Sequence, residues 1–473
     1  MIAEVDGRAL VLAAFSMALG GCAVGPDYRA PTLAVLRVPA RYSVSADASA
    51  QANHARWWTH FDDPLLTRLE TEGQTANRDL AVARARLRQS REALIQTRSA
   101  AMPTVAVTAG LNRNQRVSGG GLSGTVASLS GDAAYQVDLF GANARAIAAA
   151  RADAEASRFA TGAVALTIAA DIATAYLQVR LAQADLANAA LAEANLADNL
   201  QIAQWRNQAG LNGALDVELA RTQLAQTSAT IPAIEAALAA GEARIAVLVG
   251  RDPGALRAEL AMVAPIPVGA VQLAVGIPAD AVRQRPDVRA AERALAAATA
   301  RIGVAQAQLY PALGLGGSVG TGAAALSNPF AAITGQAFAT LTHLVFDGGR
   351  RHSVVRQARA QADEALASYQ QSVLIALEET ENALVTARSV SRQQAQVEAA
   401  AAAAANSALL ARQQYRSGLI DYAALIVTEN LLISARNGVV QARHDRALAL
   451  VQLYSALGGG WTDQDFSRPQ DIP

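Results

Sequence analysis

No lysine occurs anywhere in the 473 residues, so all forty basic side chains are arginine. A phosphate-cradling Walker loop and Schiff-base catalysis both need a lysine, and both are excluded. Cysteine is nearly as scarce: Cys22 stands alone, which rules out an internal disulfide and any multi-cysteine metal site. The five histidines include no His-Glu-x-x-His pair to anchor a zinc hydrolase, and the Gly-x-Ser-x-Gly run from Gly316 to Gly320 opens no helix, as a serine hydrolase's elbow must. The glycines between Leu313 and Gly322 mimic a dinucleotide loop, but they follow a helix and open none. Forty acids balance the forty arginines, leaving no basic excess for nucleic acid. The residues therefore give no sign of an enzyme and call for no metal or cofactor.

Aromatics are only 4% of the chain, while alanine dominates the apolar set. Alanine has the highest helix propensity and lets helices approach closely, so long, thin, tightly packed helices are expected instead of an aromatic globular core.

An internal repeat organises the sequence. Pro103, Gly210 and Gly250 recur as Pro311, Gly418 and Gly458, each displaced by 208 residues. Each copy reads helix, strand pair, very long helix, turn, helix. A helix is expected from Leu65 to Met102, started by Asp62-Asp63-Pro64 and ended by Pro103. Period-two alternation follows. Val105, Val107, Ala109 and Leu111 share one face and Thr104, Thr108, Asn112 and Asn114 the other; Leu129, Tyr135, Val137 and Leu139 oppose Ser128, Ser130, Asp132, Gln136 and Asp138 in the second strand. From Gly141 to Arg206, and again from Gly349 to Tyr415, no proline interrupts helix-forming sequence. At the helical rise each run extends roughly 100 Å, against about 30 Å of bilayer hydrocarbon. Acids recur along the first run, so its apolar stretch from Ala163 to Val179 reads as a packing face.

These landmarks divide the chain into a signal peptide (1–21), an anchored N-terminal segment (22–61), a first repeat (62–250), a Pro- and Gly-rich linker (251–280), a second repeat (281–460) and a tail (461–473). The signal peptide rests on the uncharged run from Ala9 to Leu19, which is too short to span a bilayer. Glu4 and Asp6 against Arg8 make its leading segment less positive than usual. Leu19-Gly20-Gly21-Cys22 resembles the bacterial lipobox, whose cysteine receives lipid, palmitate included, and becomes the mature N-terminus.

A strand with one apolar and one polar face suits a membrane barrel. Four strands per chain are too few to close one, and an open sheet in lipid would leave both edges unpaired, so several chains must contribute.

Four stretches resemble the TolC-like outer-membrane efflux lipoproteins, the NodT group. They are the lipobox, RWWTHFDDPLLTRLETEGQTANRDLAVARARLRQSR, RQRPDVRAAERALAAATARIGVAQAQLYP, and VFDGGRRHSVVRQARAQADEALASYQQSVLIALEETENAL. The most specific signatures are Arg285-Pro286-Asp287-Val288-Arg289 and Phe346-Asp347-Gly348-Gly349-Arg350. The resemblance implies a mainly α fold with a small transmembrane β part, assembled as a homotrimer: a twelve-stranded β-barrel in the outer membrane on a twelve-helix periplasmic α-barrel. It implies a passive exit duct docking on a periplasmic adaptor (membrane fusion) protein and an RND-type inner-membrane pump. Ducts for type I protein secretion or metal efflux are the alternatives within the family, and a periplasmic coiled-coil scaffold lipoprotein the one outside it.

The resemblance also assigns roles at the periplasmic tip. Asp216 matches the family's acidic position, Tyr415 its gate tyrosine, and Arg416 is an adjacent cation. Where relatives often place a constricting acid, this chain has Ile426-Val427-Thr428-Glu429, so either Glu429 supplies the acid or the ring at Val427 is apolar. Gly210 and Gly418 are expected as turn formers, Gly348 and Gly349 as the strand-to-helix joint, and Pro286 as a helix starter.

Overall fold

The computed structural model describes residues 23–32, 34–42, 54–114, 124–269, 283–323, 333–462 and 466. In chain order the elements are α1 (Pro64–Ala76), α2 (Arg78–Ala100), β1 (Thr104–Asn114), β2 (Gly124–Val137), α3 (Ala142–Gln208), α4 (Ala214–Ser228), α5 (Ile231–Leu248), α6 (Pro286–Ala307), β3 (Ala312–Ala323), β4 (Ile333–Thr342), α7 (Arg350–Arg416) and α8 (Tyr422–Ala456). The fold is mainly α with one small sheet, and its two halves follow the same plan. The 208-residue displacement is kept by the starts of α3 and α7, both of 67 residues, and of α4 and α8.

Two expected helices are broken. The one expected from Leu65 to Met102 stops at Asn77, whose amide donates to Leu248 O (2.7 Å) while its Oδ1 accepts from Asp79 N and Leu80 N. A polar side chain that caps a new helix start and ties down a distant carbonyl is worth more here than one continuous turn. The returning helix of the first repeat stops at Ser228 and resumes at Ile231, where Pro232 removes a donor. Its counterpart α8 runs unbroken through Gly438.

The chain forms two compact units, each drawing on both repeats. One comprises residues to Thr32, Arg86–Arg158 and Ala290–Gln371, and contains the sheet. Its strands run in the order β1-β2-β3-β4, all antiparallel. Directly paired residues share a face, so register collects side chains across the sheet. One face carries Val105, Val107, Ala109 and Leu111, then Leu129, Val137, Leu313, Leu315, Val319, Ile333 and Leu341, broken by a charge only where Arg113 stands near the far end of β1. The other carries Thr108, Ser128, Ser130, Asp132, Gln136, Ser318, Thr334, Gln336 and Thr340. Within the single chain the apolar face is uncovered, with Val105 78% and Val107 75% exposed. Leu139 and Asp138 fall beyond the end of β2, and Asp138 instead accepts from Ala144 N at the start of α3 (2.9 Å).

In the same unit the N-terminal segment is held down. Arg145 donates to Val24 O and Gly25 O and pairs with Asp27 (2.8 Å), Val24 N donates to Phe140 O, and the Tyr28 hydroxyl donates to Glu292 (3.0 Å). Gly25 adopts φ +98° against Gly303, where a Cβ would meet backbone at 2.4 Å. Cys22 lies just outside the described residues.

The other unit comprises Leu33–Ala85, Phe159–Arg289 and Ser372–Pro473. The apolar stretch of α3 is long enough to cross a membrane. It is packed inside this unit instead: Ala165, Ile168, Ala169, Ile172, Ala173, Tyr176, Leu177 and Val179 are all buried. Trp57 stacks on Tyr454, with 5.7 Å between centroids, and Arg289 lies 4.0 Å over Phe159. Asp63 caps α1 and accepts from the Tyr176 hydroxyl (2.5 Å). Pro286 opens α6 behind Arg285, a buried arginine held by Asp287, Glu379 and Ala456 O.

Glu70 is fully buried on α1, and neither carboxylate oxygen has a hydrogen-bond partner among the described residues. Burial therefore pushes its carboxyl well above the usual range. A raised folded-state pKa adds nothing below the unfolded value and costs stability as pH climbs through the folded one. Glu70→Gln is expected to raise the melting temperature more at about pH 9 than at about pH 5. Equal gains at both values would contradict this.

Candidate functional site

The turns that close the two long helices are built alike. Gly210 and Gly418 take φ of 69° and 78°, and the residue after each donates back into its helix, Leu211 N to Arg206 O (2.8 Å) and Leu419 N to Gln414 O (2.9 Å). This closure needs a left-handed residue, which costs a Cβ-bearing one roughly 1–2 kcal/mol. Asp421 then caps α8 through Ala424 N, while α4 starts at Gly213 without a side-chain cap and has Asp216 in its first turn. Gly348 and Gly349, with φ of 63° and 85°, form the joint between β4 and α7.

Between the two turns, Ala203, Ala220, Ala411, Tyr415, Tyr422 and Leu425 form one buried cluster. The tyrosines meet edge to face at 5.7 Å. Burial raises the Tyr415 hydroxyl, an effect that Arg206 opposes and Asp216 reinforces; burial pushes Tyr422 up to about 12, helped by Tyr415, Glu429 and Asp216. Both phenols thus stay neutral in the physiological range. The charges acting on the cluster are Arg206, Asp216 and Glu429.

Arg206 was not foreseen from the sequence, although its helix carries the signal. Asn199 and Ala203 are buried at the four-residue spacing of a core stripe that continues to position 206. Its guanidinium lies 4.7 Å over the Tyr415 ring and donates to Tyr415 O at 2.5 Å. Arg416, the cation expected here, is exposed and forms no ion pair among the described residues. Asp216, half-buried in the first turn of α4, forms no side-chain hydrogen bond or ion pair among the described residues and acts on the tyrosines only as a nearby charge.

Glu429 is 3% exposed and gripped by Arg412 of α7 through both guanidinium nitrogens, one at 2.7 Å. Its carboxylate is consumed within the chain and does not stand on an open surface. The large apolar side chains left exposed on this part of α8 are Val427, at 66%, and Leu431. Tyr422, Leu425, Glu429 and Leu432 recur at three- and four-residue spacing, so Glu429 occupies the core stripe.

The sequence profile described as "Outer membrane efflux protein" matches residues 72–251 and 277–459. Among curated proteins, Nodulation protein T of Rhizobium leguminosarum bv. trifolii is 30% identical over 94% of this chain and 96% of its own. The Toluene efflux pump outer membrane protein TtgC of Pseudomonas putida is 30% identical over 96% of each chain. Among solved structures, the outer-membrane channel OprN superposes with a TM-score of 0.86 at 33% identity, covering 93% of this chain and all of that one. With the duplicated plan, the two-faced sheet and these matches in agreement, the chain belongs to the outer membrane efflux protein family.

Proposed function

We propose that three copies of this chain assemble into the exit duct of a tripartite efflux pump. The duct passively carries substrates from a periplasmic adaptor and an RND-type inner-membrane pump to the exterior. The observation that carries this reading is the four-stranded sheet with one uncovered apolar face and two free edges. In lipid, backbone groups on a free edge cost several kcal/mol each, so the sheet is complete only when other copies close it. Three chains give twelve strands, an even number within the range of membrane barrels. Lipid on Cys22 would tether the mature N-terminus beside the base of the sheet, where Val24 is pinned to Phe140. Mass spectrometry of the purified N-terminus tests that, and an unmodified cysteine removes the tether.

The tip cluster acts as the gate. Arg206 and Tyr415 hold the two turns together through a cation over a neutral ring, worth about 0.5–2 kcal/mol, with the Asp216 carboxylate acting only as a nearby charge. Such a contact holds the closed state yet yields to a partner's binding. The narrowest ring is apolar at Val427, since Glu429 is turned inward to Arg412. Native mass determination and planar-bilayer recording on the purified protein test both parts. A monomer without conductance overturns the duct. Arg206→Ala and Asp216→Ala are expected to conduct severalfold more than wild type, whereas Tyr415→Phe, which keeps the ring and the carbonyl, changes little. Unaltered conductance in Arg206→Ala and Asp216→Ala rejects this gate.

A further inference from the structure

The duplication extends to the hydrogen-bond register, and this fixes how one copy joins the next. Within the first repeat β1 meets β2 with Thr104 opposite Ala134; within the second, β3 meets β4 with Ala312 opposite Thr342. Both members of the second pair lie 208 residues beyond the first, so the two hairpins are superposable residue for residue. The repeats are joined inside the chain by β2 and β3, with Ala133 opposite Gly317 and Val137 opposite Leu313. One pairing of this kind is missing: β4, the counterpart of β2, has a free outer edge, and so does β1, the counterpart of β3.

We propose that β4 of one copy pairs antiparallel with β1 of a second copy in the register that β2 and β3 use, carried over by the 208-residue displacement. Leu341 then faces the partner subunit's Ala109, and Thr342 the partner subunit's Thr108. An independent check comes from the faces of the sheet. Leu341 and Ala109 both belong to the apolar face, Thr342 and Thr108 both to the polar one. A slip of one residue would set polar side chains toward lipid along the whole seam.

The same displacement lengthens β4. In β2, Tyr135, Gln136 and Val137 run past the end of β1 and pair only with β3. Their counterparts His343, Leu344 and Val345 follow β4 outside any strand, with Val345 90% exposed. In the assembly they become strand, with Val345 opposite the partner subunit's Val105. Two of the most exposed apolar side chains of the chain thereby cover each other.

This rests on the oligomeric reading above, and cysteine pairs separate the two. In oxidised membranes, Leu341→Cys with Ala109→Cys and Thr342→Cys with Thr108→Cys are tested together. Hydrogen-bonded and open pairs alternate along the ladder, so these neighbouring pairs sample both geometries. At least one is expected to yield cross-linked dimer and trimer. Leu341→Cys with Val107→Cys or with Leu111→Cys places the cysteines two residues off register, about 7–8 Å apart, and should cross-link at least about tenfold less. Each single variant controls for Cys22. A preparation of native oligomeric mass in which a shifted pair dominates, or in which neither in-register pair reacts, overturns the register. A native mass of one chain removes the oligomer itself.

Discussion

Arg412→Ala is expected to loosen the tip at a cost of roughly 2–4 kcal/mol. Glu429 would remain buried with its charge unmatched, and stranding one half of a buried pair costs about 3–5 kcal/mol when both members are enclosed. The range is set lower because about a quarter of the Arg412 side chain meets solvent, which screens part of the loss. Glu429→Gln, which frees an arginine able to reach water, should cost distinctly less, about 1 kcal/mol. The pair spans α7 and α8 close to the tyrosine cluster, so its loss should also speed proteolysis near Gly418 and raise basal conductance. Denaturant unfolding of the two variants checks the order. Equal costs, or a costlier Glu429→Gln, would mean that burial of Glu429 is not what the pair stabilises.

Arg285→Ala should cost about 1–3 kcal/mol, less than for a fully enclosed pair because Asp287 and Glu379 are 41% and 50% exposed and can turn to water. The Arg285 side chain is only 9% exposed and forks onto both oxygens of Asp287, at 3.1 and 2.7 Å, while reaching Glu379 at 2.6 Å and Ala456 O at 3.1 Å. Removing it leaves two carboxylates without this donor where α6 begins and α8 ends, while Ala456 O keeps only the Thr380 hydroxyl (3.3 Å). Arg285→Lys keeps the charge but loses the fork, so it should recover less than half of the loss. Unfolding midpoints of the pair decide the matter: a lysine variant as stable as wild type would reduce Arg285 to a bulk charge.

Much of this was legible in the residues because its signals are periodic. Strand faces repeat every two residues, long helices lack proline, and glycines at one displacement mark equivalent turns. What escaped depends on single side chains choosing among partners distant in sequence. Asn77 interrupts an expected helix because a carbonyl 171 residues away needs its amide. Arg206 lies over the Tyr415 ring while Arg416 is exposed, because helix phase turns the first toward the cluster and the second away from it. Glu429 was a candidate for an open ring, yet it lies on the buried stripe of α8, where Arg412 was waiting. Composition could not rank these choices, since each is decided by where the local backbone points one side chain.

The equal lengths of α3 and α7 have a consequence for inheritance. Each counts 67 residues from its glycine joint below the sheet to a turn in the same buried cluster. Side chains along them have drifted apart freely, but a codon lost from one helix alone would rotate its tip by about 100° and shorten it by about 1.5 Å against its twin. Descendants of such a deletion could recover only through a matching loss in the other half of the gene. Changes of length in this lineage should therefore arrive in pairs.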